Sequence, residues 1–410
     1  MRRSFSMLVT VLGISSLLVS VGAAAAPEHG GTGEPLYLGT GEGVSVVDSS
    51  TGDATFSARD ALPSGDWSQV VRARPAKAGT LVEAVEPTSG TVFRSQSFDE
   101  RLSVRAVSRD GSLVALMPRE PDRYGGYGLY KPVSRDTTTI VLTRLDGSPP
   151  QTIELDANVE PEAFTTDNAA LFVVRFSPPL HPDRYRVSRL DLATGKLGSV
   201  YTDQKELQGN MRGNAYTQVL APDGTRLYTF YKKNNGEAFV HVLSLDQQFA
   251  NCVDLPEGFG KDPAAVAITT TPGGDDIVVV DGLGRQIAEV DAAQLRVTRT
   301  EHFRGLAPSH FAVMASATDD RVFVARDNKV VALNRSTFGS VAEWTTKGAV
   351  QAVHLGTAGL VLVAEHNRVT AIDPKGNGRG WTVKVNVGGA IHSVADTLAY
   401  TSKGSVQCAC

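Results

Sequence analysis

Three stretches decide the fold: Val322–Asn334 (VFVARDNKVVALN), Val361–Asp373 (VLVAEHNRVTAID) and Leu398–Cys410 (LAYTSKGSVQCAC). Each reads as a short apolar strand, a tight turn and a second strand, the first two closing on Asn or Asp. Their starts lie 39 and 37 residues apart, an interval that accommodates one four-stranded β-sheet. Regular β-periodicity with no helical stretch between units is the signature of a radial β-repeat, the β-propeller. Further strand–turn–strand units read at Leu36–Asp48, Leu81–Phe98, Leu113–Asp146, Leu171–Asp191, Leu227–Asp246 and Ile277–Asp291. Each is taken as strands b and c of a blade. Strand a precedes it, as at Ser103–Ser108, Ala215–Leu220, Ala264–Thr269 and Val350–Leu355; strand d follows, as at Leu197–Tyr201 and Leu295–Thr300.

The turns agree with this assignment. Arg109-Asp110-Gly111, Pro222-Asp223-Gly224 and Pro272-Gly273-Gly274 fall between a and b, where a hairpin needs a residue tolerant of positive φ. Asp48 to Gly52 and Asp191 to Gly195 fall between c and d, where the Asp side chain caps its own turn. The expectation is an all-β chain forming a single propeller of seven or eight four-stranded blades. Its ring is closed by N- and C-terminal strands, with the strand near Leu36 completing a blade that the C-terminal segment leaves unfinished. Such closure removes two exposed sheet edges.

The 410 residues, 41% hydrophobic and 20% charged, suit one large β-domain. Residues 1–26 read as a signal peptide: Arg2 and Arg3, an apolar stretch from Met7 to Val21, then small residues, with cleavage placed at Ala24 or Ala25. The general secretory route is preferred to the twin-arginine route, and the expected location is extracytoplasmic. Residues 27–35 form a Gly-rich leader and 36–410 the propeller. No later stretch reads as a membrane span. Losing Arg2 and Arg3 takes the formal net charge from −4 to −6, which argues against a nucleic-acid partner. Cys252, Cys408 and Cys410 allow one disulfide with a spare thiol, or none; Cys408-Ala409-Cys410 also has the form of a soft-metal clip.

Several turn motifs resemble those of secreted propellers. Ala221-Pro222-Asp223-Gly224-Thr225-Arg226-Leu227-Tyr228 is similar to the repeat of TolB-like and YVTN propellers. Leu190-Asp191-Leu192-Ala193-Thr194-Gly195-Lys196 resembles the turn shared by YVTN and quinoprotein-type repeats. These are scaffold motifs, and they imply a bacterial, WD-repeat-like fold that hosts enzymes and binding platforms alike. Quinoprotein blades also repeat an A-x-D-x-x-x-G-x-x-x-W pattern. Here Ala371, Asp373 and Trp381 hold that spacing, but Asn377 stands at the Gly position, and with three Trp in the chain the pattern cannot recur around a ring. No PQQ or other cofactor is expected.

What breaks the repeat is more informative. Pro121-Asp122-Arg123-Tyr124 and Pro182-Asp183-Arg184-Tyr185 are duplicates between strands b and c of consecutive blades, the first within an insertion that also holds Tyr127 and Tyr130. The next blade has an enlarged loop at Tyr231 to Glu237. All b–c loops of a propeller emerge on one face, so Arg123, Tyr124, Tyr127, Tyr130, Arg184, Tyr185 and Tyr231 are the candidate binding residues. Aromatic and Arg side chains suit such a surface; solvated loops whose Arg pairs with its own Asp are the plainer alternative. His310, His354 and His392 fall near inner strands, but their registers differ, so no shared metal site is expected. Asp275-Asp276 and Asp319-Asp320 read as solvated turns rather than calcium ligands. No nucleophile elbow, zinc-helix motif or phosphate loop is present. The reading is an exported, monomeric, non-catalytic platform for a protein, peptide or glycan. A lactonase- or hydrolase-type propeller with a dispersed site is the alternative, and a role in envelope assembly a third.

Overall fold

The structure, a computed structural model, describes residues 33–41, 43–119, 133–202, 211, 213–308, 314–356, 358–376 and 380–395. They form eight blades arranged in a ring. In order from strand a to strand d, blade 2 is Ala61–Pro63, Val70–Pro75, Thr80–Val85 and Val92–Phe98. Blade 3 is Leu102–Val107, Val114–Pro118, Thr138–Thr143 and Gln151–Leu155, and blade 4 is Asn158–Phe164, Ala170–Ser177, Arg184–Asp191 and Leu197–Ser199. Blade 5 comprises Asn214–Leu220, Arg226–Lys232, Ala238–Ser244 and Phe249–Asp254, with Tyr201–Thr202 added in parallel at its outer edge. Blade 6 is Val266–Thr270, Asp276–Asp281, Gln286–Asp291 and Arg296–His302; blade 7 is Met314–Ala317, Arg321–Arg326, Lys329–Asn334 and Ser340–Thr345. Blade 8 is Val350–Leu355, Val361–Glu365, Arg368–Ile372 and Trp381–Lys384. No helix among the described residues is long and apolar enough to cross a membrane.

Blade 1 closes the ring. Its inner strand, Ile391–Ala395, comes from the C-terminal side and pairs antiparallel with Pro35–Thr40, followed by Gly43–Asp48 and Ala54–Arg59. The closure expected from the strand near Leu36 is present, with one strand from the C-terminal side and three from the N-terminal side. Strands b and c of this blade are therefore Pro35–Thr40 and Gly43–Asp48; the unit read at Leu398–Cys410 lies outside the described residues, as do Cys408, Cys410, His310 and residues 1–32.

The near-continuous apolar strands follow from packing on both faces, since each blade lies between two others. Along Arg321–Arg326, Val322 and Val324 bury against Val278 and Val280 of blade 6, while Phe323 and Ala325 bury against Val361 and Val363 of blade 8. The turns behave as their residues require. Asp48 Oδ1 accepts from the Ser50 and Thr51 amides at 2.7 and 3.0 Å, and Gly52 takes φ +77°. A Cβ on Gly52 would stand 1.6 Å from the Lys384 carbonyl oxygen, so this turn also fits blade 1 against blade 8.

One assignment needs correction. Leu81–Phe98 holds strands c and d of blade 2, and strand b is Val70–Pro75. Its alternation is hidden by Arg72 and Arg74, whose charges are absorbed by Glu83 on the facing strand, with Nε–Oε2 distances of 2.7 and 2.8 Å.

Candidate functional site

The antiparallel order of each blade sends b–c turns and blade-to-blade crossovers to one face, and a–b and c–d turns to the other. On the b–c face, blades 3 and 4 are tied together. Asn158, fully buried at the start of blade 4, donates from Nδ2 to the Val133 carbonyl and, at 2.8 Å, to the Pro179 carbonyl. Its Oδ1 accepts from Arg135 Nε at 3.0 Å. Arg135 also donates to the Val159 carbonyl at 2.7 Å and to Glu160 Oε1 at 2.5 Å. The described end of the blade 3 insertion is thereby fastened to the b–c turn of blade 4.

Beside this junction, between blades 4 and 5, is a cavity of about 240 Å³. Pro182, Asp183 and Arg184 line it from blade 4, Gly213, Asn214 and Asn234 from blade 5. Val174, Phe176, Tyr185, Ala215 and Tyr231 supply its apolar and aromatic part. The amides, Asp183 and Arg184 make the lining predominantly polar, with the aromatic and apolar side chains as its smaller part.

The candidate residues divide here. Arg123, Tyr124, Tyr127 and Tyr130 lie outside the described residues. Arg184 is partly exposed and its Nε stands 3.3 Å from Asp183 Oδ1, the plainer pairing considered from the sequence. Tyr185 and Tyr231 come together, but as buried packing groups, 6% and 1% exposed. Their rings stack at 5.3 Å, Tyr231 stacks on Phe239 at 5.1 Å, and His241 meets Tyr231 edge-on at 5.9 Å. Burial, with Glu162 nearby, holds the Tyr231 hydroxyl well above the usual tyrosine range, so it stays protonated.

Below the cavity a polar row crosses blade 5 from the channel outward. Gln218 Nε2 reaches Glu162 Oε1 at 3.5 Å and Thr229 Oγ1 at 3.0 Å. Thr229 pairs across the sheet with His241, and His241 with Cys252. Cys252 lies 4.0 Å from Met211 sulfur to sulfur. The row was not legible in the sequence because it depends on register across four strands. His241 is 1% exposed, and burial pushes its imidazole down to about 4 from the ordinary 6.5. Above pH 6.5 it is neutral in both folded and unfolded chains and contributes no pH dependence. As pH falls from 6.5 to 4 the unfolded chain takes the proton first, so stability drops, by about 3 kcal/mol in all. The His241→Leu variant is expected to lose less stability between pH 7 and pH 4.5 than the parent, as measured by denaturant titration; equal losses would refute the assignment.

The other candidates are dispersed. His354 and His392 sit on the inner strands of blades 8 and 1, and His392 Nε2 lies 2.9 Å from the Thr40 carbonyl oxygen. Burial, outweighing that carbonyl, lowers the His392 imidazole from its ordinary value. Asp276 is bound to Arg335 at 2.6 Å and Asp320 accepts from Thr318 Oγ1 at 2.7 Å, so both acidic pairs are engaged in turn contacts. Among the described residues, no three His, Cys, Asp or Glu side chains converge as a metal site would require. Between the inner strands of blades 2 to 5 is a small pocket of about 40 Å³, beside which Arg109 of blade 3 reaches across to the Asp223 carbonyl of blade 5. Trp381, the residue of the quinoprotein-like spacing, is buried between blades 8 and 1.

No family model and no curated protein sequence matches the chain. Solved structures do. Dihydro-heme d1 dehydrogenase NirN in complex with DHE is similar with a TM-score of 0.52 and 12% identity, over 90% of this chain and 77% of that one. The Dos1 propeller is similar with a TM-score of 0.51 and 10% identity, over 90% and 97% of the two chains. The protein is an eight-bladed β-propeller. At such identities the likeness speaks for the fold alone.

Proposed function

We propose that the protein is an exported, non-catalytic β-propeller that binds a protein, peptide or glycan on its b–c face. The observation that carries this reading is the cavity between blades 4 and 5, flanked by loops that hydrogen bonds tie to blade 3. Its described lining is suited to holding a ligand, with Arg184 standing against Asp183 and the Tyr231 hydroxyl held protonated. The signal-like N-terminus and the YVTN- and TolB-like turns support export in a bacterium. No quinone belongs to this reading.

The exposed Asn234 permits a cavity-filling substitution outside the packed core. In a binding screen against soluble glycans and peptides, the parent protein is expected to retain ligands that Asn234→Trp does not, and to return them chemically unchanged. Turnover of a retained lactone or ester by the parent protein would replace this reading with the enzyme one. Equal retention by Asn234→Trp would move the site elsewhere.

A further inference from the structure

Among the described residues, the hairpin of blade 4 carries positive charge that has no acidic partner. Within residues 170–191 there are four arginines, Arg175, Arg184, Arg186 and Arg189, against Asp183 and Asp191. Arg184 lies beside Asp183, and Arg189 Nη1 binds Asp191 Oδ2 at 3.1 Å. Arg175 and Arg186 remain, directly opposite one another in the antiparallel ladder, two pairs below Ser177 and Arg184 and so on the same face. Neither forms an ion pair or hydrogen bond with another described residue. Like charges placed opposite across a ladder destabilise it. Arg175 is moreover partly buried, and burial followed by the charge of Arg186 lowers its guanidinium from the ordinary value. By alternation, the three guanidiniums continue the face that Leu171, Val173 and Leu190 bury against blade 3, and they emerge at its b–c end.

Each guanidinium carries a planar fork of N–H donors that recognises an oxyanion in a bidentate manner, and the register places two of them on directly opposed residues. The cavity with its aromatic lining and the amides of Asn214 and Asn234 lies on the opposite side of the same hairpin. Aromatic surface beside amide groups is matched to a sugar's apolar ring face and its hydroxyls. We propose that Arg175 and Arg186, with Arg184 at the rim, form an oxyanion site for the carboxylate or sulfate groups of an acidic glycan. This rests on the binding-platform reading and names the class of its ligand. The residues act by holding the anion; no bond is made or broken.

Calorimetric titration at fixed ionic strength tests it, with oligogalacturonate as the carboxylate probe, dextran sulfate as the sulfate probe and dextran as the neutral control. The parent protein is expected to bind one charged probe and not dextran, and the double variant R175Q/R186Q to bind that probe about tenfold more weakly or less. Without ligand, R186Q is expected to melt at or above the parent temperature, since the substitution removes a repulsion. A structural arginine neutralised within the chain would give the reverse. Equal affinity in parent and double variant, no binding of either charged probe, or a clearly lower melting temperature for R186Q overturns the proposal. Should the arginine variants leave binding intact while Asn234→Trp still abolishes retention of ligands from the screen, the oxyanion site falls and the platform reading stands.

Discussion

Deletion of residues 36–60 is expected to abolish the cooperative unfolding transition of the whole protein. Those residues supply strands b, c and d of blade 1, and only Ile391–Ala395 of that blade comes from elsewhere. Their removal exposes the hydrogen-bonding edge of that strand and opens two cores at once. Leu36, Leu38 and Val47 pack with Leu362 and Trp381 on the blade 8 side; Tyr37, Val46 and Phe56 pack with Trp67 and Val85 on the blade 2 side. At about 1.5–3 kcal/mol for each large apolar side chain returned to water, the loss is on the order of 10 kcal/mol. That is comparable with the ~5–15 kcal/mol by which folded domains are usually stable. A truncated protein that melts cooperatively at the parent temperature would show that the ring does not depend on this closure.

The second large effect is expected at Tyr231. Its ring is clasped between Tyr185 and Phe239 with the His241 edge against it, so Tyr231→Ala removes the centre of an aromatic stack spanning blades 4 and 5. Aromatic truncations in a packed core cost about 3–5 kcal/mol, and chemical denaturation will read the loss directly. Tyr231→Phe keeps the stack and loses only a buried hydroxyl, so its stability should stay close to the parent's. Ligand binding by Tyr231→Phe should stay close to that of the parent protein. A Tyr231→Ala variant as stable as the parent would mean that the ring is not the packing element described here.

The architecture was legible because its determinants are local. Strands buried on both faces write themselves as apolar runs, as at Val322–Ala325, and tight turns write themselves as Asp and Gly at fixed offsets, as at Asp48 and Gly52. Blade 2 escaped where that local rule fails. Val70–Pro75 hides its strand character behind Arg72 and Arg74, and the compensating Glu83 becomes visible only once the facing strand is placed.

Of the candidate site, the loops were legible but not the packing of their side chains. Duplicated PDRY motifs and enlarged loops located the b–c face of blades 3 to 5. Whether a Tyr in such a loop faces solvent or packs inward is decided by the neighbouring blade, and the structure turns Tyr185 and Tyr231 inward. Asn158 and Arg135, which join the loops, gave no signal, being single polar residues in ordinary contexts. Arg175 and Arg186 did leave one: two arginines interrupting the apolar alternation of FVVRFS and RYRVSRL. That they face each other required the register.

Amide hydrogen exchange, recorded with and without a ligand that the screen retains, tests the central claim most directly. Binding at the b–c face predicts slowed exchange in residues 177–185, 213–215 and 232–237, with the opposite face unchanged. Protection concentrated instead in the a–b turns at 65–69, 109–112 and 223–225 would contradict it.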